Sequence, residues 1–402
     1  MEFGADQVSH EAEFPSHHAQ PEIDHKKADA IVEACTRSDV NALQSLAESE
    51  GGFLTDDLRR KAWPILLGVS YNQGEDERPD APEASWKELP RHRDEDQVQL
   101  DVNRAFIYYP TDHSDAQLEE RKRELSELIN HVLRRYPYLC YFQGYHDICQ
   151  VFLLVLSSPN HRVRLVARLS ALRIRDYMLT TLEPTVNQLR LIPDILGAAD
   201  PSLRRHLADT EPFYALAGTL TMYAHDIQAY GDIARLFDVL LSHEPVFSIY
   251  MFAQIVLNRR DELFEQDPDD PSMLHLILSK VPQKMDLEKL IADTAQLFRR
   301  LPPESLPAWR RISTASCLKT ARSIEDCAKQ TMEDGEAYFE RQLKELQAAE
   351  RRRRIVKTMW LHRKSAGALG LAVVVGLIAV YLPRTSGPIT KVSAFFSKLL
   401  ER

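Results

Sequence analysis

The chain has 402 residues, 44% of them hydrophobic, enough to bury a substantial core in one large domain or two ordinary ones. Its formal net charge of -9 argues against nucleic acid as a partner, because a phosphate-binding surface carries a basic excess. The five cysteines, Cys35, Cys140, Cys149, Cys317 and Cys327, are odd in number and match no CxxC or zinc-ligand pattern, so reduced cytosolic thiols are expected.

Residues 1–25 combine His, Glu, Asp and Pro with few branched apolar side chains, and lack the basic-then-apolar order of a secretory signal. A disordered N-terminal tail is expected, in which His17, His18 and His25 offer at most weak metal binding. From Lys27 to Ala47 apolar residues recur at helical intervals and falter near Ser38, which predicts two short helices. Leu58 to Gly68 predicts another, with Pro64 expected to kink it and Gly68 placed for a left-handed cap. Asn72 to Glu83, rich in Asp, Glu and Pro, has the composition of a solvated loop.

Ser114 and Gln117 have the spacing of a capping box. The helix they open carries Leu118, Leu125, Leu128, Ile129, Val132 and Leu133 on one stripe, with charges opposite, until Pro137 forces a break. Ile148 to Leu156 is apolar enough for a buried helix. Amphipathic helices are further predicted over 163–182, 186–198, 214–225, 233–241, 246–257 and 273–281, joined by connections at 201–212 and 261–271. Asp334 to Lys357 has the charge density of an exposed helical spacer.

Residues 366–382, AGALGLAVVVGLIAVYL, contain no charge and would extend about 25 Å as a helix, near the short limit for crossing a bilayer. A buried core helix is the alternative. The basic residues Arg351 to Arg354, Lys357, Arg363 and Lys364 just before the run favour a membrane span with the preceding body in the cytosol.

Two constellations carry candidate chemistry. Asp101 stands three residues before Arg104, so that on a helix the carboxylate and guanidinium share a face; an ordinary surface ion pair is the alternative. Tyr141-Phe142-Gln143-Gly144-Tyr145 presents an amide just after a Pro break, with Gly144 giving backbone room; a buried or capping amide is the alternative. Cys140, His146 and Asp147 lie within eight residues of one another, too local to converge as a hydrolase triad does.

Together the two constellations resemble the signatures I-x-x-D-x-x-R and Y-x-Q of the TBC domains of Rab GTPase-activating proteins, here V-x-x-D-x-x-R and Y-F-Q-G-Y. The resemblance extends to Arg59-x-x-x-Trp63 and to Arg235-Leu-Phe-Asp238-Val-Leu-Leu, and covers roughly residues 50–300 in the family's order. It implies an all-α, TBC-type helical domain of two helical subdomains, to which the C-terminal transmembrane helix is added. The domain would span 26–300, followed by a helical, basic juxtamembrane spacer at 301–365, the span at 366–382 and a short tail at 383–402.

By the same resemblance the protein is a GTPase activator rather than an enzyme in its own right. It would bind a Rab-family small GTPase in its GTP-bound form and complete that partner's active site. Arg104 would be the arginine finger and Gln143 the glutamine finger, with Asp101, Tyr141 and Gly144 in support and Arg59, Trp63, Arg235 and Asp238 structural. No cofactor of its own is implied, since GTP and Mg belong to the partner. The wording around Arg104, with Tyr109-Pro110 following and a membrane segment near the C-terminus, resembles the endoplasmic-reticulum-anchored branch, which acts in transport from the endoplasmic reticulum to the Golgi. Departures are Val98 for the usual Ile, Phe237 for the usual Trp, and Gly218-Thr219 where many members carry an aromatic. A membrane-anchored scaffold or tether that binds a Rab without activating it is the competing function.

Overall fold

The computed structural model describes residues 24–69, 84–110, 113–361 and 373–374, and among these every regular element is helical. Residues 1–23 of the expected N-terminal tail, the loop at 72–83, the tail at 383–402 and nearly all of the 366–382 segment lie outside the described residues, whereas Asp24 and His25, expected in that tail, begin the first helix. Of that last segment only Val373 and Val374 are described, as helical and exposed. Among the described residues no helix is long and apolar enough to cross a membrane.

Side-chain caps set many of the helix starts, each accepting from amide protons that the first turn cannot pair internally. Asp24 caps α1 (His25–Thr36), Asp39 caps α2 (Val40–Glu48) and Thr55 caps α3 (Asp56–Leu66). The break between α1 and α2 falls at Ser38, whose φ is 51°, and Gly68 ends α3 with a φ of 72°. Next come α4 (Ala84–Lys87) and α5 (Glu95–Val102). The capping box of Ser114 and Gln117 starts α6 (Asp115–Arg135), whose side chains from Leu125 to Leu133 include the expected buried stripe. Gly144 then begins α7 (Tyr145–Val155), buried on most of its circumference.

The helix expected over 163–182 is interrupted. After α8 (Pro159–Arg168) the backbone makes a π turn over Leu169–Arg173 and a 3-10 turn over Arg175–Met178. Buried guanidiniums take part, because they leave the helix face to satisfy carbonyls elsewhere. Arg173 donates to the carbonyls of His243 at 2.6 Å, Leu66 at 3.1 Å and Leu241 at 3.3 Å, which lie at the C-terminal ends of other helices. Such ends favour a cation. Arg162 reaches Leu156 O, and Arg168 reaches Leu67 O and Gln330 O.

Beyond this lie α9 (Glu183–Leu189), α10 (Leu191–Ala199), α11 (Pro201–His206) and α12 (Leu216–Leu220), then α13 (Tyr230–Ser242), α14 (Phe247–Asn258), α15 (Arg260–Phe264) and α16 (Pro271–Leu278). The connections expected at 201–212 and 261–271 therefore contain α11 and, in part, α15. The helix expected over 214–225 ends at Leu220, and the chain turns through Met222 and Tyr223, both at positive φ. The chain continues through α17 (Leu287–Arg300), α18 (Cys317–Thr320) and α19 (Ile324–Lys329) to α20 (Met332–Leu361).

Residues through Arg341 form one compact unit and Gln342 onward a second. The segment expected as a spacer, 301–365, is divided between the two units, with 301–341 in the first. Buried Asp176 accepts from Ser316 Oγ at 2.5 Å, Cys317 N at 3.1 Å and Gln188 Nε2 at 2.5 Å. Arg175, fully buried, donates to Ala315 O and Thr320 Oγ1, and its guanidinium lies 5.0 Å from the Tyr338 ring centroid.

Candidate functional site

The four motif residues expected to be structural form a buried clasp. Asp238, with no exposed surface, accepts from Arg59 Nε at 3.0 Å, Arg59 NH2 at 3.0 Å, Trp63 Nε1 at 2.9 Å and Phe53 N at 3.0 Å. A buried carboxylate survives only when its charge and lone pairs are matched in this way. Trp63 fills the core against Phe152 and Phe237 at centroid distances of 5.5 and 6.0 Å, so the departure at Phe237 preserves an aromatic packing partner. Arg235 ties α13 to the end of α2 through Ala47 O and Ser49 O, and pairs with Glu288 at 2.8 Å. Gly52 is required here, since a Cβ would stand 2.6 Å from Asp238 Oδ2.

The second cluster is built on Asp101, in the last turn of α5. Val98 and Val102 point into the core and carry Asp101 with them, so its side chain has no exposed surface. Its Oδ1 accepts from Gln97 Nε2 at 3.1 Å and Arg104 NH2 at 2.5 Å, and its Oδ2 accepts from the Tyr141 hydroxyl at 2.8 Å. Arg104 is not on the helix, as its spacing suggested, but in the turn just past it. One side of its guanidinium is fixed by Asp101, while 55% of the side chain stays open to solvent. A held, half-exposed cation of this kind is free to meet an anion from outside.

Tyr141 thereby joins the two motifs. Burial first, and then its hydrogen bond to Asp101, push its hydroxyl above the ordinary phenol range, so it donates at neutral pH. Its backbone N–H donates to Asp94 Oδ2 at 2.9 Å, and Cys140 N donates to Met178 O at 2.8 Å, which pins the loop before α7. Gln143 follows two residues later, exposed and with no side-chain hydrogen bond among the described residues. Gly144 has a φ of 102°, and a Cβ there would stand 2.6 Å from Thr221 Cγ2, so both conformation and space demand glycine.

Several contributors were not legible as site residues. Gln150, polar in an apolar helix, accepts from Phe106 N at 3.0 Å and donates to Tyr109 O at 3.3 Å, fixing the loop that follows Arg104. Its lone amide within an apolar run was the available signal. His146, lowered by burial against the pull of Asp147 and Asp101, contacts the Tyr141 hydroxyl at 3.3 Å. His225 pairs with Asp147 at 3.0 Å and is raised by that hydrogen bond. Nearby Asp226 is pushed up to about 6 by burial. Cys140, His146 and Asp147 form no nucleophile and base pair, since Cys140 is raised by burial and contacts Arg93 instead. Among the described residues no group of three His, Cys, Asp or Glu could hold a metal ion.

An all-helical body with this paired cluster matches the Rab-GTPase-TBC domain family over residues 56–264. The GTPase-activating protein gyp10 of Schizosaccharomyces pombe is 34% identical over 319 residues, covering 78% of this chain and 83% of that protein. TBC1 domain family member 20 of Bos taurus is 37% identical over 289 residues, covering 71% of this chain and 69% of that protein. A crystal structure of the Ypt/Rab-GAP domain of Gyp1p aligns with 68% of this chain and 100% of its own, with a TM-score of 0.53 and 15% identity, a likeness of fold alone. The chain belongs to the Rab-GTPase-TBC domain family, a class of Rab GTPase-activating proteins.

Proposed function

We propose that the chain accelerates GTP hydrolysis by a GTP-bound Rab-family GTPase, lending Arg104 and Gln143 to the partner's active site. Charge builds on the phosphoryl oxygens as the bond to the leaving group loosens, and a fixed guanidinium stabilises it by an amount equal to about 10³ to 10⁵ in rate for GTPases. Arg104 supplies that cation, already oriented by Asp101. The attacking water needs a group that both accepts and donates a hydrogen bond, and the Gln143 carboxamide does both. GTP and its Mg stay with the partner, so the protein completes another active site and has none of its own.

The observation that carries this reading is the Asp101 carboxylate, which holds Arg104 on one oxygen and Tyr141, two residues from Gln143, on the other. Leu100, Ile107 and Tyr108, exposed on either side of Arg104 in the chain, give a docking protein apolar surface to cover. The test mixes residues 1–341 with a panel of GTP-loaded Rabs. One Rab is accelerated, and Arg104→Ala and Gln143→Ala each lower that rate at least about tenfold. A smaller loss removes the assigned roles, and no acceleration by the wild type favours the scaffold or tether.

The same reading anchors the chain by residues 366–382 in the endoplasmic reticulum membrane, with the body cytosolic, where it regulates transport to the Golgi. The charge-free run and its basic flank support this. A chain ending at Arg363 is expected to leave the membrane fraction on washing with about 1 M salt, which screens any surface charge contact, and retention after that wash refutes the anchor.

A further inference from the structure

The second compact unit opens with the C-terminal part of α20, whose composition departs from the rest of the molecule. Between Glu350 and Leu361 five basic residues, Arg351 to Arg354 and Lys357, accompany one carboxylate, in a chain whose net charge is -9. That carboxylate, Glu350, is already paired with Arg354 at 2.5 Å. On the same two turns, three large apolar side chains stand in solvent: Ile355 at 59%, Val356 at 64% and Trp360 at 61% exposure. Left in water, each forgoes the gain of burial.

The helical period sorts these groups. At 3.6 residues per turn, Ile355, Val356 and Trp360 fall within one arc of about 140°. Arg353 and Lys357 lie just beyond its Trp360 edge, Arg351 just beyond its Ile355 edge and Arg354 on the opposite side, while Arg352 alone enters the arc from a turn earlier. A short apolar strip bordered by long cations, with a tryptophan at its edge, suits one kind of surface. Apolar groups enter the acyl boundary, the indole sits at headgroup depth, and the arginine and lysine stems reach back to the phosphates.

We propose that the 351–361 segment of α20 lies on an anionic lipid surface, with Ile355, Val356 and Trp360 dipped into it and Arg351, Arg353 and Lys357 on the headgroups. This contact is separate from the span at 366–382. A membrane span holds the chain to any bilayer, whereas this contact selects negative charge and weakens with salt. It does not depend on the assignment of Arg104 and Gln143.

Tryptophan fluorescence reads the contact directly, because Trp63, Trp86 and Trp309 are at most 8% exposed while Trp360 is open. The full chain is reconstituted into vesicles with brominated acyl chains, made of phosphatidylcholine alone or with phosphatidylserine added. The phosphatidylserine vesicles are expected to quench Trp360 at least about twofold more than the neutral ones. Raising salt from about 0.1 M to about 1 M, which shortens the Debye length from about 10 Å to about 3 Å, removes that excess. Replacing Arg351 to Arg354 by Gln removes it too, with helicity by circular dichroism unchanged, and Trp360→Phe abolishes the signal. Equal quenching on neutral and anionic vesicles overturns the proposal. So does quenching that survives Trp360→Phe, or an indole that stays in water on both surfaces, the result expected if the basic run serves an acidic protein.

Discussion

The Tyr141 hydroxyl offers the sharpest test of how the two motifs work together. Tyr141→Phe removes one oxygen and leaves the ring in place against Tyr145, 6.0 Å away between centroids. What is lost is a 2.8 Å hydrogen bond to a fully buried carboxylate, with a longer 3.3 Å contact to His146. A hydrogen bond to a charged group contributes about 1.5–3 kcal/mol, and each 1.4 kcal/mol is about tenfold. Asp101 keeps its donors Gln97 and Arg104, so the lower end of that range applies and the stimulated rate is expected to fall about tenfold. The assay is single-turnover GTP hydrolysis by a responsive Rab with residues 1–341, with saturation resolved so that maximal rate and half-saturation are read separately. The loss falls on maximal rate, because the hydroxyl acts on the posture of Arg104 and not on docking. In an Arg104→Ala background the same substitution costs less than about twofold, since groups acting through one another are not additive. A single variant within twofold of wild type, or an undiminished loss in the Arg104→Ala background, refutes the coupling.

Two further outcomes follow from the buried charges. Asp238→Asn leaves the Arg59 guanidinium facing an amide, with Asp56 at 2.9 Å as its remaining carboxylate. Breaking a buried pair costs about 3–5 kcal/mol, and Asp56 places the expected loss near the low end; a urea midpoint shift worth under about 1 kcal/mol contradicts the clasp. Asp226 is raised from 3.8 to about 6 by burial, so the folded state binds its proton more tightly than the unfolded one. Its stability is therefore greatest below the unfolded value and declines as pH rises from about 4 through about 6. Asp226→Asn removes that decline and is expected to stabilise the protein by up to about 2 kcal/mol at pH 8 and by less at pH 5, read from urea midpoints at both. An equal effect at the two values sinks the assignment.

The sequence was most legible where local chemistry determines local structure. The Ser114 and Gln117 box, the apolar stripe from Leu125 to Leu133, the break at Ser38 and the cap at Gly68 follow from side-chain donors, helical period and allowed φ, and stand where expected, while Leu118 at the head of the stripe is only partly buried. Period fails where a distant group intervenes. The helix expected through 163–182 breaks because Arg173 and Arg175 serve carbonyls that no local pattern announces. The pairing of Arg104 with Asp101 was readable from spacing, but its place past the helix end was not. Asp94, Gln150 and Thr221 were missed because their roles exist only once the chain has brought separate segments together.

Asp176 has a consequence for how the chain can be shortened. The family match ends at residue 264, yet this carboxylate, only 1% exposed, takes hydrogen bonds from Ser316 and Cys317, some 140 positions later. A fragment trimmed to the matched region would take two donors from this buried carboxylate and leave the buried Arg175 guanidinium without Ala315 O and Thr320 Oγ1 as acceptors. The stretch 301–341 thus acts as a keystone, closing over two buried charged side chains that lie inside the matched region itself.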